Sequence, residues 1–240
     1  MTAIAVGSVR SGGATTVALT LAAVLEDAVL VEADADGGVL ALRYGLSREP
    51  GLVSLAASRQ PPGDVVVDHA QGLPGGMAVV VGPESPERAT QLLRSAGHRI
   101  TALLSEPCPV NLVVDLGRLS PSGPGPALAA AAPLALVIAR PYAEELIAAA
   151  ERLASLGDSA ALVLVGSGPY SATDVTAQLG CRIIGTVADD PSGARALAEG
   201  GSFRALARSA LVRSVRTLAA SLPLLNSPTR HRTERAEARP

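Results

Sequence analysis

Seven short apolar runs recur along the 240-residue chain, at 2–6, 28–33, 77–82, 110–115, 133–139, 160–165 and 182–187. Helical spacing of apolar residues fills the intervals, at about 15–26, 38–45, 51–58, 85–96, 125–131, 141–156, 171–179 and 191–198. Alternation on this scale implies βαβ units, whose crossovers make a sheet mostly parallel and put helices on both of its faces. The expected fold is a three-layer α/β domain with about seven strands, occupying 1–222 as a single domain. "VVVDHA", 65–70, reads as an additional edge strand. Two helix starts carry clear capping chemistry: Ser85-Pro86-Glu87 offers a cap, a proline at the first helical position and an acid in the first turn, and Asp190-Pro191 repeats that order. After Pro223 the periodicity stops, and the polar, mixed-charge "NSPTRHRTERAEARP" predicts a disordered tail over 223–240.

Hydrophobic residues make up 48% of the chain, yet its aromatics are only Phe203 and three tyrosines, so Ala, Val and Leu must fill the core. A net charge of −2 gives no global basic field of the kind that binds nucleic acid. Cys108 and Cys181 lack metal-ligand spacing and read as reduced core residues. No run approaches the roughly 18 uninterrupted apolar residues of a membrane span, and the N-terminus lacks a signal-peptide pattern. A cytoplasmic protein without integral membrane association is expected.

Chemistry concentrates in three segments that end apolar runs: "GSVRSGGATT" (Gly7 to Thr16), "VLVEADADGG" (29–38) and "NLVVDLGRLS" (111–120). If the strands are neighbours, the three segments converge on one crevice at the carboxyl edge of the sheet. A strand, a glycine-rich turn and a helix opening on two threonines is the arrangement of a phosphate-binding loop. Gly12, Gly13 and the turn Ala14–Thr16 would supply N–H groups to phosphate oxygens. Thr15 with Asp115 would supply a hydroxyl and a carboxylate to Mg²⁺, and Asp34 would orient a water. The lysine such a loop needs before its first threonine is replaced by Ala14. All 20 basic residues are arginine, so no lysine of this chain can stand in. The "SPSGPGP" loop, 120–126, follows a strand end and would border the same crevice.

These residues resemble the ParA/MinD family of P-loop ATPases, whose deviant loop reads K-G-G-x-G-K-T-T. Aligning the threonines puts Val9 at the signature lysine, Arg10-Ser11 at the first glycine pair, Gly13 at the last glycine and Ala14 at the phosphate lysine. "VEADADGG" resembles the family's D-x-D-P-Q-G, with Glu32 and Asp34 in the acidic positions. "VVDLG" resembles its Walker B strand, with Asp115 near Mg²⁺ and Gly117 in the turn that senses the terminal phosphate. The resemblance implies nucleotide binding by Arg10, Ser11, Gly12, Gly13, Ala14, Thr15, Thr16 and Gly117. It further implies Mg²⁺ at Thr15 and Asp115, a water-positioning (catalytic) Asp34, ATP or ADP as cofactor, a homodimer and a protein partner or cargo. Every departure touches the nucleotide: both lysines are gone, the adenine-contacting asparagine is Gly166, and the base-framing proline is Ala188. A charged phosphate contact is worth about 1.5–3 kcal/mol, and loss of such a donor in the transition state costs roughly 10²–10³ in rate. Weak nucleotide binding with slow or absent hydrolysis is therefore expected, as in the atypical TadZ/CpaE-like members with damaged loops.

Several residues keep two readings. Arg10 brings a guanidinium to phosphates or is a solvated loop residue. Glu32, Asp34 and Asp36 form a metal cluster of their own or a solvated strand end. His69, His98 and His231 have no Ser or Cys partner nearby in sequence and read as surface residues. "VGSGPYS", 165–171, is only an echo of G-x-S-x-G. In 210–222, Leu211, Val215, Leu218 and Leu222 share a face with Arg213 and Arg216 turned away, which predicts a helix packed on the sheet rather than one binding membrane or DNA. Three functions follow: a degenerate spatial organiser or scaffold that positions chromosome, pilus or secretion machinery; a slow Mg-ATPase using Arg10 and Asp34; or a non-specific DNA-binding partition protein.

Overall fold

The computed structural model describes residues 3–10 and 12–222, so the expected tail over 223–240 lies outside the described residues. Among those residues eight strands form one sheet: β1 (Ala3–Ser8), β2 (Ala28–Glu32), β3 (Gln71–Gly72), β4 (Ala78–Val80), β5 (Asn111–Arg118), β6 (Leu134–Ala139), β7 (Ala160–Val165) and β8 (Ile183–Val187). Their order across the sheet is β3-β4-β2-β5-β1-β6-β7-β8. Every pairing is parallel except that of β3 with β4.

Strand alternation splits the core in two. Ala3, Ala5, Val29, Val31, Leu112 and Val114 face one layer of helices, with Leu93, Ile100, Leu104, Leu128 and Leu146 packed over them. Ile4, Val6, Leu30 and Val113 face the other, under Val17, Leu21, Leu211 and Val215. All six residues of β6, "LALVIA", are buried, as an inner parallel strand covered on both faces requires. Full burial of each such Leu or Ile contributes about 1.5–3 kcal/mol, so aliphatic packing suffices without aromatics.

Two elements differ from expectation. No strand forms at 65–70. Pro61 and Pro62 instead open the short helix Pro62–Val65, and Val65 and Val66 are buried from its end. Proline is preorganised for a first helical turn and cannot donate to a strand ladder. The edge strand is the two-residue β3, which raises the count from seven to eight. The segment after 96, where the sequence pattern places no helix, forms the helix Gly97–Ser105 with Ile100, Leu103 and Leu104 buried.

The expected caps are present. Ser85 Oγ accepts from the Arg88 N–H at 3.4 Å, and Asp190 Oδ1 accepts from the Gly193 N–H at 2.9 Å. Asp190 Oδ2 also accepts from the Leu211 N–H at 3.2 Å, which ties the start of the last helix, Ala210–Ser221, to the β8 end of the sheet. That helix buries Leu211, Val212, Val215 and Leu218 against the sheet, as its spacing predicts. Arg213 and Arg216 donate to the Arg208 and Ala207 carbonyls from its exposed side. Among the described residues no helix is long and apolar enough to cross a membrane.

Candidate functional site

β2, β5 and β1 are adjacent in the sheet, so the three motif segments do meet at its carboxyl edge. Glu32 stands opposite Asp115 in the β2–β5 register, and Val6 stands opposite the same Asp115 in β1–β5. The turn after β1 enters the helix Ala14–Val24 through Gly13, in the left-handed conformation at φ 81°, and no side chain caps the first turn. Its uncapped N–H groups and the positive end of the helix dipole face the crevice, which suits an anion. Ser8 Oγ donates to the Arg10 carbonyl at 2.6 Å and holds the turn closed from inside.

A cleft of about 380 Å³ opens there, lined by Ser8, Arg10, Gly13, Ala14, Thr15, Thr16, Asp34, Asp36, Arg43, Gly117 and Arg118. Among the expected residues, Arg10, Gly13, Ala14, Thr15, Thr16, Asp34 and Gly117 are thus brought together. Gly12 is buried beneath the loop against the Ile138 carbonyl of β6 rather than lining the cleft. Ser11 lies outside the described residues. Arg43 and Arg118 were not singled out in the sequence. Arg118 had one signal, its place directly after Gly117 at a strand end; Arg43 had none. The "SPSGPGP" loop, 120–126, expected to border the crevice, contributes none of the lining residues.

Asp115 is not among the residues that line the cleft. It is wholly buried; Oδ1 accepts from the Gly117 N–H at 3.0 Å, while Oδ2 has no hydrogen-bond partner of good geometry. Burial pushes its pKa up to about 7, against the opposing pull of the Thr15 hydroxyl and the Gly117 N–H, and nearby Asp34 and Glu32 push the same way. An orphaned buried carboxylate oxygen beside a threonine hydroxyl fits a hard divalent cation such as Mg²⁺. Asp34 is half-buried, its pKa raised first by desolvation, and its Oδ1 accepts from the Asp36 N–H at 2.8 Å. Its carboxyl lies directly over Gly117, where φ is +58° and a Cβ would overlap it. Only glycine therefore lets Asp34 lean across the end of β5.

Glu32 and Asp36 do not join a metal cluster. Glu32 Oε1 accepts from the Val39 and Leu40 N–H groups at 2.6 and 3.0 Å, and Oε2 from the Gly82 N–H at 2.9 Å. Burial raises its pKa, partly countered by those donors. It is a buried bracket joining the ends of β2 and β4 to the helix Leu40–Tyr44. Asp36 pairs with Arg118 at 2.7 Å. No group of three or more His, Cys, Asp or Glu side chains suited to a metal is found among the described residues. His69, expected at the surface with no Ser partner nearby in sequence, is half-buried and contacts the hydroxyl of Ser54, fifteen residues away, through Nδ1 at 2.8 Å. That hydroxyl also exchanges hydrogen bonds with Gly51 at the helix start, so the pair completes a cap.

Gly166, which aligns with the asparagine of the family pattern, has φ +75°, and a Cβ there would lie 2.9 Å from Asp189 Cβ. Asp189 faces Arg140 at 3.8 Å. A larger groove of about 970 Å³ runs between Val53, Pro83 and the helix Pro86–Ser95. Its Arg48 and Glu84 neutralise one another at 2.9 Å, and none of the buried unpaired polar atoms lines it.

A scan against protein-family models finds no match, and a search of curated proteins finds none either. Solved structures do match. The cell division ATPase MinD of Pyrococcus furiosus superposes with a TM-score of 0.72 at 16% identity, over 92% of this chain and 97% of that one. A ParA family ATPase of Chlorobium tepidum gives 0.67 at 15% identity, over 92% and 99%. The septum site-determining protein MinD of Pyrococcus horikoshii, in complex with Mg-ADP, gives 0.62 at 14%, over 90% and 93%. The chain has the α/β fold of the MinD/ParA P-loop ATPases.

Proposed function

We propose that this protein is a degenerate ParA/MinD-like spatial organiser, a single domain that binds ATP or ADP with Mg²⁺ weakly and hydrolyses it little. The observation that carries the reading is the pairing of a retained cation site with a lost lysine. Thr15 and the unpartnered Oδ2 of Asp115 keep the chemistry for Mg²⁺, while buried Ala14 occupies the lysine position. The first-turn N–H groups of the helix Ala14–Val24 would hold phosphate oxygens, and Thr15 with Asp115 would hold the cation. Bound Mg²⁺ supplies charge neutralisation on the phosphates. Asp34, whose carboxyl lies over Gly117, would orient a water. The Mg-ADP complex of the similar Pyrococcus horikoshii MinD supports the cofactor assignment. The role implied is positioning of chromosome, pilus or secretion machinery through a homodimer and a protein partner.

The test is phosphate release and molar mass measured together, with and without Mg-ATP. Release indistinguishable from buffer, with a shift from monomer to dimer on adding Mg-ATP, is the expected result. Sustained turnover abolished by Asp34→Ala would establish the slow ATPase instead. An unchanged mass at millimolar nucleotide would remove the switch from the reading.

A further inference from the structure

We infer that Arg43 supplies the positive charge that the absent lysine would otherwise bring to a bound polyphosphate. The inference rests on the nucleotide reading above and names the residue that makes it workable. Three guanidiniums line the cleft, and they are not equivalent. Arg118 donates to Asp36 Oδ2 through both Nε and a terminal nitrogen, at 3.1 and 2.7 Å, and is committed there. Arg10 is exposed on the loop. Arg43 is half-buried, lines the same cleft as Gly13, Thr15 and Asp34, and has neither an ion pair nor a side-chain hydrogen bond among the described residues.

The backbone that carries Arg43 is clamped at both ends. The buried Glu32 carboxylate accepts from the Val39 and Leu40 N–H groups at 2.6 and 3.0 Å, fixing the start of the helix Leu40–Tyr44 against the end of β2. One residue beyond Arg43, the Tyr44 hydroxyl donates to the Leu197 carbonyl at 3.1 Å and fixes its end. A guanidinium held on such a support loses less freedom on binding than one on a mobile loop. Its planar fork matches phosphate oxygens bidentately, whereas a lysine presents a point charge. A half-buried cation with no carboxylate partner among the described residues, lining the same cleft as the uncapped first turn at Gly13–Thr16, is accounted for by an anion that enters there. The ligand class is a nucleoside di- or triphosphate, read at its phosphates.

The test is calorimetric titration of the full chain with Mg-ATP and with inorganic triphosphate, on wild type, Arg43→Gln and Arg43→Lys, each checked for an unchanged melting transition. Arg43→Gln is expected to weaken both ligands about 10- to 100-fold, and Arg43→Lys to recover part of the loss. Equal affinities in wild type and Arg43→Gln would overturn the inference and leave the proposed function standing. Absence of binding by wild type would overturn both. If Arg43→Gln does not fold, Arg43→Lys decides: a loss of threefold or more supports the bidentate role, and wild-type affinity contradicts it.

Discussion

Asparagine at position 115 is expected to stabilise the ligand-free protein at pH 8 by several kcal/mol and to leave it unchanged near pH 3. The Asp115 pKa is about 7 in the folded protein against 3.8 for an ordinary aspartate. Between these values the native state holds a proton that the unfolded chain has lost, so stability falls as pH rises from about 4 to 7 and is flat above. A difference of about three units corresponds to roughly 4 kcal/mol at 1.36 kcal/mol per unit. Because the side chain is wholly buried, solvent screening does not reduce it. Asparagine keeps the acceptor for the Gly117 N–H and carries no charge, so its stability lacks this decline. Urea denaturation at pH 5 and pH 8 reads the effect, and thermal melting would move by about 2–4 °C per kcal/mol. Identical pH profiles for the two proteins would mean that Asp115 is ionised and compensated in the native state. Glu32 and Asp34, both raised by burial, add slope of the same sign that Asp115→Asn leaves in place.

Ala14→Lys is expected to lower the stability of the ligand-free protein, because Ala14 is buried, and to give a large gain in ligand affinity. Ala14 lines the cleft at the first position of the helix Ala14–Val24, and Asp34 lines the same cleft. A lysine there restores one charged phosphate contact, worth about 1.5–3 kcal/mol or roughly 10- to 150-fold in affinity for Mg-ATP. Where the rest of the machinery is intact, the same charge is worth about 10²–10³ in the rate of phosphate release. Affinity rising without turnover would place the remaining defect at Asp34 or on the base side, where Gly166 and Ala188 depart from the family pattern. Unchanged affinity would mean that the loop no longer presents its N–H groups to phosphate.

The sheet was legible because parallel strands buried on both faces are continuous apolar runs; β6 and β7, "LALVIA" and "AALVLV", are such strings. The region 61–72 was not, because Val65 to Val67 carry β-branched propensity while Pro61 and Pro62 dictate a helical turn, and tertiary burial of Val65 and Val66 sided with the prolines. Within the site, Asp34 and Asp115 were legible as acids closing apolar runs, and Thr15 as one of two threonines that open a helix. Glu32 was legible as an acid but not as a bracket, since its three donors sit at Val39, Leu40 and Gly82, as far as fifty residues away. Arg43 was invisible for the same reason. Nothing local marks it, and only folding the helix Leu40–Tyr44 back across β2 carries it to the loop.

Whether a phosphate site persists here in weakened form is read from calorimetric titration of the wild-type protein with ATP in excess Mg²⁺. A single site with a dissociation constant between micromolar and millimolar, about −8 to −4 kcal/mol, is expected. No heat up to several millimolar nucleotide would contradict it and leave the loop as architecture alone, with function on other surfaces of the fold.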